Sequence, residues 1–211
     1  MKFLLSAVTL LFVLNANSQT RFGIFAGAQA TSAKYRIDDI KQPTENKFGF
    51  HAGLGMKVPF EGQLYFAPAL FYSMKGYKVT FNKFVFPPDP AAVDNSTTIH
   101  TVETAFLLQY DFSSQPGHTF LKVGPSLDFQ LFGNEKFKTN TNSVVDRKMK
   151  FGYGDYGHYS ASVLVQLGYE SEKGLMIFWQ YTYGLGSINN ADSGPRIRHR
   201  GFGLSAGKYL K

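Results

Sequence analysis

The sequence predicts an all-β protein: an eight-stranded antiparallel up-and-down transmembrane β-barrel with short periplasmic turns and long outer loops. Three observations predict it. Strict two-residue alternation recurs in eight segments. The links between those segments alternate short and long. No amphipathic helix after the N-terminal apolar run could cover the apolar faces. Successive strand side chains point to opposite faces, so each segment presents one apolar and one small or polar face. An apolar face must meet a second sheet, a helix layer or lipid. With the first two lacking, lipid is the expected partner, and a closed barrel is how strands span it.

The elements follow in chain order. Met1 and Lys2 precede an apolar run from Phe3 to Leu14, and Asn15, Ala16, Asn17 and Ser18 supply small residues for cleavage. Residues 1–18 therefore read as a secretory signal peptide and 19–211 as one barrel domain. A membrane anchor helix would need about 20 apolar residues. Strands are predicted near 21–35, 47–59, 63–75, 99–112, 118–133, 151–169, 174–186 and 199–210. The clearest alternation is Phe48, Phe50, Ala52, Leu54, Met56 and Val58, interleaved with Gly49, His51, Gly53, Gly55 and Lys57. Pro68 and Pro125 fall inside strands, where a lost ladder donor predicts a bulge or local irregularity.

Short links are expected at Phe60–Gly62, Ser113–Gly117 and Glu170–Lys173. Long ones are expected at Arg36–Asn46, Gly76–Thr98, Asn134–Lys150 and Ser187–Arg198. Outer-membrane barrels share that asymmetry and an even strand count. A soluble lipocalin-type barrel also has eight up-and-down strands, but it would turn its apolar residues inward.

Composition agrees. Phe (21) and Tyr (12) are abundant, and the net charge is +7. The basic residues are not gathered on a helix and the chain is exported, so nucleic acid is not an expected partner. The chain contains no Cys, which removes a lipoprotein anchor, disulfides and thiolate metal sites together.

The segment Phe66-Ala67-Pro68-Ala69-Leu70-Phe71-Tyr72-Ser73-Met74-Lys75-Gly76 resembles the "L-x-P-E-L-x-Y-S-x-K-G" stretch of the PorT-type outer-membrane β-barrel family of Bacteroidota. Arg21-Phe22-Gly23-Ile24 with Ala26-Gly27, Gly53-Leu54, Leu121-Lys122-Val123-Gly124-Pro125 and the hairpin from Tyr181 through Gly203 are similar to it too. The resemblance implies an eight-stranded barrel in the outer membrane. It carries little about activity; one branch is associated with gliding and type IX protein secretion. The usual strand-three glutamate is Ala69 here.

Candidate chemistry is sparse. His51, Lys57, Glu103, Lys122, Asp128 and His158 are predicted to form a polar cluster in the lumen. They would line a gated pore or, since eight strands enclose just enough room for their own side chains, a packed plug. Buried charge must be paired, and Lys122 is the expected partner of Glu103 and Asp128. Phe81, Phe84 and Phe86 make the second long loop a candidate interaction patch for a protein partner. Tyr110, Tyr169, Trp179, Tyr181 and Tyr183 read as an interfacial girdle. Basic residues on the loops and rims, among them Lys34, Arg36, Lys41, Lys75, Arg196, Arg198 and Arg200, are expected to meet lipopolysaccharide phosphates or an acidic glycan. His158-x-Ser160 with Glu172 is similar to the His-x-Ser and Glu set of outer-membrane lipid A deacylases. Along the strand, however, His158 and Glu172 would lie roughly 40 Å apart. No catalytic residues, metal ligands or cofactors are expected. The leading expectation is a non-enzymatic structural, binding or assembly barrel acting through its outer loops. The alternatives are a component of secretion or gliding machinery and a lipid A-modifying enzyme.

Overall fold

The alternating segments pair with their sequence neighbours and the ends of the row meet. A computed structural model describes residues 20–84 and 86–210; the expected signal peptide lies outside them. The strands are β1 (Arg21–Ile37), β2 (Ile40–Lys41), β3 (Thr44–Glu61), β4 (Leu64–Thr80), β5 (Asp94–Asp111), β6 (His118–Lys138), β7 (Val144–Lys148), β8 (Tyr159–Glu170), β9 (Leu175–Gly184) and β10 (Arg196–Tyr209). Antiparallel pairing runs β1-β3-β4-β5-β6-β8-β9-β10 and closes from β10 back onto β1, giving eight staves; β2 and β7 are short additions to β1 and β6. The closing seam is long, from Gly23 opposite Tyr209 to Arg36 opposite Arg196. Closure leaves no lipid-exposed edge, as a hydrocarbon solvent demands.

Several expected boundaries move. The link expected at Arg36–Asn46 is mostly strand, because β1 turns at Asp38 and Asp39 (φ 48° and 63°) and returns through β2 into β3. Asp tolerates that left-handed backbone. The sixth expected strand starts at Tyr159 instead of 151. Residues 151–158 form an irregular loop, with Gly152 and Gly154 at positive φ. Register passes unshifted through Pro68 and Pro125. The irregularities lie instead at Asn46/His51, Pro59/Glu61 and His100/Thr101. At the first of these Gly49 packs so close to the Met74 carbonyl that a Cβ there would sit 1.9 Å from its oxygen. The Thr31 hydroxyl reaches across from β1, donating to the Gly76 carbonyl and accepting from its N–H, each at 2.8 Å.

Polarity along β1 reverses with height. In the lower part of β1, Phe22, Ile24 and Ala26 face outward while Gln29 and Thr31 are buried inside. In its upper part Lys34 and Arg36 face outward and Ala33, Tyr35 and Ile37 are buried. Those three join Tyr77, Val79, Ile99, Met149, Tyr156, Ile188 and Ile197 in an apolar cluster. The wall thus stands above the bilayer as a water-soluble extension with its own core. Strand extension, more than loop length, makes the outer side tall.

Candidate functional site: the plugged lumen and the outer rim

Inward-facing residues fill the barrel in layers. At the periplasmic mouth Lys57 Nζ lies 2.6 Å from Asp111 Oδ2 and 3.0 Å from Glu170 Oε2. His118 Nε2 is 3.0 Å from that Asp111 oxygen, Gln109 donates to Asp111 Oδ1 at 2.7 Å, and Arg21 closes on Glu170 from the rim. The next layer is apolar: the Phe25 ring meets Phe71 at 5.7 Å and Phe178 at 5.8 Å edge-on and packs against the clusters that hold Leu107, Leu164 and Met176. Higher still, Lys75 Nζ bridges Glu103 Oε1 at 2.6 Å and Asp128 Oδ2 at 2.9 Å, and the Ser160 hydroxyl donates to Asp128 at 2.9 Å. His51 Nε2 pairs with Ser205 Oγ at 2.6 Å. The extramembrane core lies over all of this. Arg147 Nε (2.7 Å) and the Tyr156 hydroxyl (3.0 Å) both donate to Glu135 there.

His51, Lys57, Glu103, Lys122 and Asp128 are all buried in the lumen. Two parts of that expectation need correction. Lys122 does not pair with Glu103 and Asp128; it lies over the Phe120 ring at 4.9 Å, and Lys75, expected on the rim, takes its place. Lys75 sits one inward step above Ser73, so its parity was legible. His158 is not in the lumen at all. It precedes β8 in the irregular loop and is exposed, stacked near Phe129 with ring centroids 5.9 Å apart. Ser160 turns inward to Asp128, and Glu172 lies in the turn at the far end of β8, so these three residues do not meet. Asp111, His118 and Glu170 were missed as a group because Asp111 and His118 flank the β5–β6 turn while Glu170 flanks the β8–β9 turn. Their signal was parity: Glu170 continues the inward series Ser162, Leu164, Gln166.

The outer surface is mixed. Phe81 folds against Tyr35 at 5.4 Å in the extramembrane core, whereas Phe84 (72 %) and Phe86 (44 %) stay exposed. Phe81 and Phe84 flank an open cleft of about 620 Å³ with Lys83, Val93 and Asn140. Tyr110, Tyr169, Trp179 and Tyr183 face outward and exposed; Tyr181 is half-buried against Phe202 at 4.7 Å. Phe48, Phe60, Phe112, Tyr159 and Phe202 add to the outward aromatic set. Among the described residues no group of His, Asp and Glu has the arrangement to hold a metal ion.

The family model described as "outer membrane protein beta-barrel domain" matches residues 10–190. No curated protein matches the chain. Among solved structures, Ail, the attachment invasion locus protein of Yersinia pestis, is 14 % identical, covering 90 % of this chain and 98 % of its own, with a TM-score of 0.47. OprG of Pseudomonas aeruginosa is 12 % identical over 92 % and 97 %, with a TM-score of 0.48. Neisserial surface protein A is 13 % identical over 90 % and 97 %, with a TM-score of 0.45.

Proposed function

Because the chain belongs to the outer membrane protein β-barrel domain family, we propose that it acts in that membrane as a sealed, non-enzymatic barrel that binds through its outer rim and loops. The observation that carries this reading is the filled lumen. Two ion-paired layers, one at Lys57 and one at Lys75, sandwich an aromatic layer and lie beneath a roof of buried side chains. A plug of that kind leaves no aqueous path for solute. What remains available is the surface: outer-membrane lipid and lipopolysaccharide at the rim, and a protein partner at the exposed Phe84 and Phe86. The segment from Phe66 to Gly76 supports placing the chain near the PorT-type branch, and secretion or gliding is the second role this likeness favours.

A deletion strain tests the reading, through the secreted and surface proteomes compared with the parent. An unchanged secretome, together with silent planar bilayers containing the purified barrel, is expected. Loss of a class of secreted cargo with precursors held in the periplasm favours the secretion role. Steady single-channel currents overturn the sealed barrel, and altered lipid A masses overturn the non-enzymatic assignment.

A further inference from the structure

The closing seam carries an unbalanced row of cations on its outward face. Lys34 stands directly opposite Arg198, and Arg36 opposite both Arg196 and Lys41; Arg200 is opposite Ser32. Their neighbours Ala33, Tyr35, Ile197 and His199 are buried inside, so the row points away from the lumen. Its height follows from the strands. A stave tilted by about 40° rises about 2.5 Å per residue, so Lys34 lies roughly 30 Å above Phe22 and Arg200 roughly 25 Å above Leu210. The apolar band of such barrels is about 25 Å tall. Arg200 and Lys34 therefore meet the outer interface, directly above the exposed Phe202, and Tyr183 flanks Arg200 from β9.

Like charges placed opposite each other on one sheet face repel. In the lumen Lys57 and Lys75 each meet two carboxylates; most of the seam has none. Among the described residues only Arg196 of this row has an acidic partner, Asp39 at 3.5 Å, and both groups are exposed. The Nε atoms of Arg36 and Arg198 are buried without a hydrogen-bond partner.

We infer that the β1–β10 seam is a binding site for the phosphate groups of a phosphorylated lipid headgroup in the outer leaflet. This deepens the rim-binding reading above and rests on the chain's outer-membrane placement. Guanidinium forks match phosphate oxygens in pairs. A lipid is the fitting source of that phosphate because the cation row continues without a break into the lipid-facing strip of the same two strands. Phosphates at Arg198 and Arg200 would leave acyl chains lying on Phe202 and Leu204.

The test uses the full mature barrel in phosphatidylcholine nanodiscs, titrated with bis-phosphorylated lipid A and with lipid A stripped of both phosphates. The parent is expected to prefer the phosphorylated form by about tenfold or more, and Arg198→Gln/Arg200→Gln to lose about tenfold in affinity along with the preference. Lys138→Gln/Lys148→Gln, which removes the same charge from β6 and β7, is expected to stay within about twofold of the parent. Equal binding of the two lipid A forms, an unchanged seam variant, or an equal loss in the control pair overturns the site. Displacement by inorganic phosphate at lower concentration than lipid A overturns the lipid assignment in favour of a soluble anion. Heat-modifiable gel mobility confirms that each variant is folded. Cell fractionation reads outer-membrane placement separately, so its failure is distinguishable from failure of the site.

Discussion

Lys75→Met removes the single cation between two buried carboxylates while keeping the side chain's length and bulk. Each contact, at 2.6 Å to Glu103 and 2.9 Å to Asp128, has a gross Coulomb attraction of about 6 kcal/mol at an effective dielectric near 20. Most of that attraction offsets the desolvation of three charged groups. What the substitution exposes is the cost of two carboxylates left uncompensated, about 3–5 kcal/mol of folding stability. The triple variant Lys75→Met/Glu103→Gln/Asp128→Asn removes the whole charged set at near-constant shape, and it is expected within about 2 kcal/mol of the parent. Equilibrium urea unfolding in lipid vesicles measures both, with the one tryptophan, Trp179, as reporter. A loss below about 1 kcal/mol in the single variant, or a triple variant no better than the single one, refutes the argument that Lys75 neutralises the plug.

Four further outcomes are expected. Trp179, 67 % exposed on the outward face, should be quenched by brominated acyl chains and spared by aqueous iodide; the reverse would place the apolar face elsewhere. Gly49→Ala should cost about 1–3 kcal/mol in the same unfolding assay, since its Cβ would meet the Met74 carbonyl oxygen at 1.9 Å. Gly62→Asn should fold like the parent, because that turn position has φ 56° and open space around it. Burial, then the charges of Tyr77 and Glu135, raise the Tyr156 phenol well above its usual range. A raised pKa favours the neutral form in the fold, so its contribution is intact below about pH 10 and declines above that value. Protease cleavage in the 149–158 loop should therefore accelerate as pH rises above about 10, less so in Tyr156→Phe. An equal slope in both proteins would remove Tyr156 as the cause.

The membrane half was legible because lipid enforces one rule over every stave. Phe22, Leu54, Leu70, Leu108 and Ile177 alternate with inward residues without exception, and each is exposed. The extramembrane half follows the opposite rule, and there prediction lost its footing. Tyr35 and Ile37 continue the inward parity of Gln29 and Thr31 but are apolar, so the outward Lys34 and Arg36 looked like loop residues. His158 failed for a different reason. Parity holds only within a strand, and two glycines at positive φ interrupt the chain before it. The Lys75 pairing failed because parity gives a side chain's face and not its neighbours across the lumen. Only the stagger between staves brings Lys75 of β4 to Asp128 of β6.

The cation row on the seam also bears on how the barrel reaches its place. A chain arriving from the periplasm must carry its outer half through the hydrocarbon. Arg or Lys on the lipid face costs about 2–4 kcal/mol each at the midplane, so Lys34, Arg36, Arg196, Arg198 and Arg200 together impose a transient barrier on the order of 10–20 kcal/mol. An undisturbed bilayer would make that crossing slow, so insertion calls for a locally thinned membrane or an assembly machine that shields β1 and β10 until they join. After the crossing, the same barrier opposes retreat. The row then works as a one-way latch that fixes which end of the barrel faces the outside.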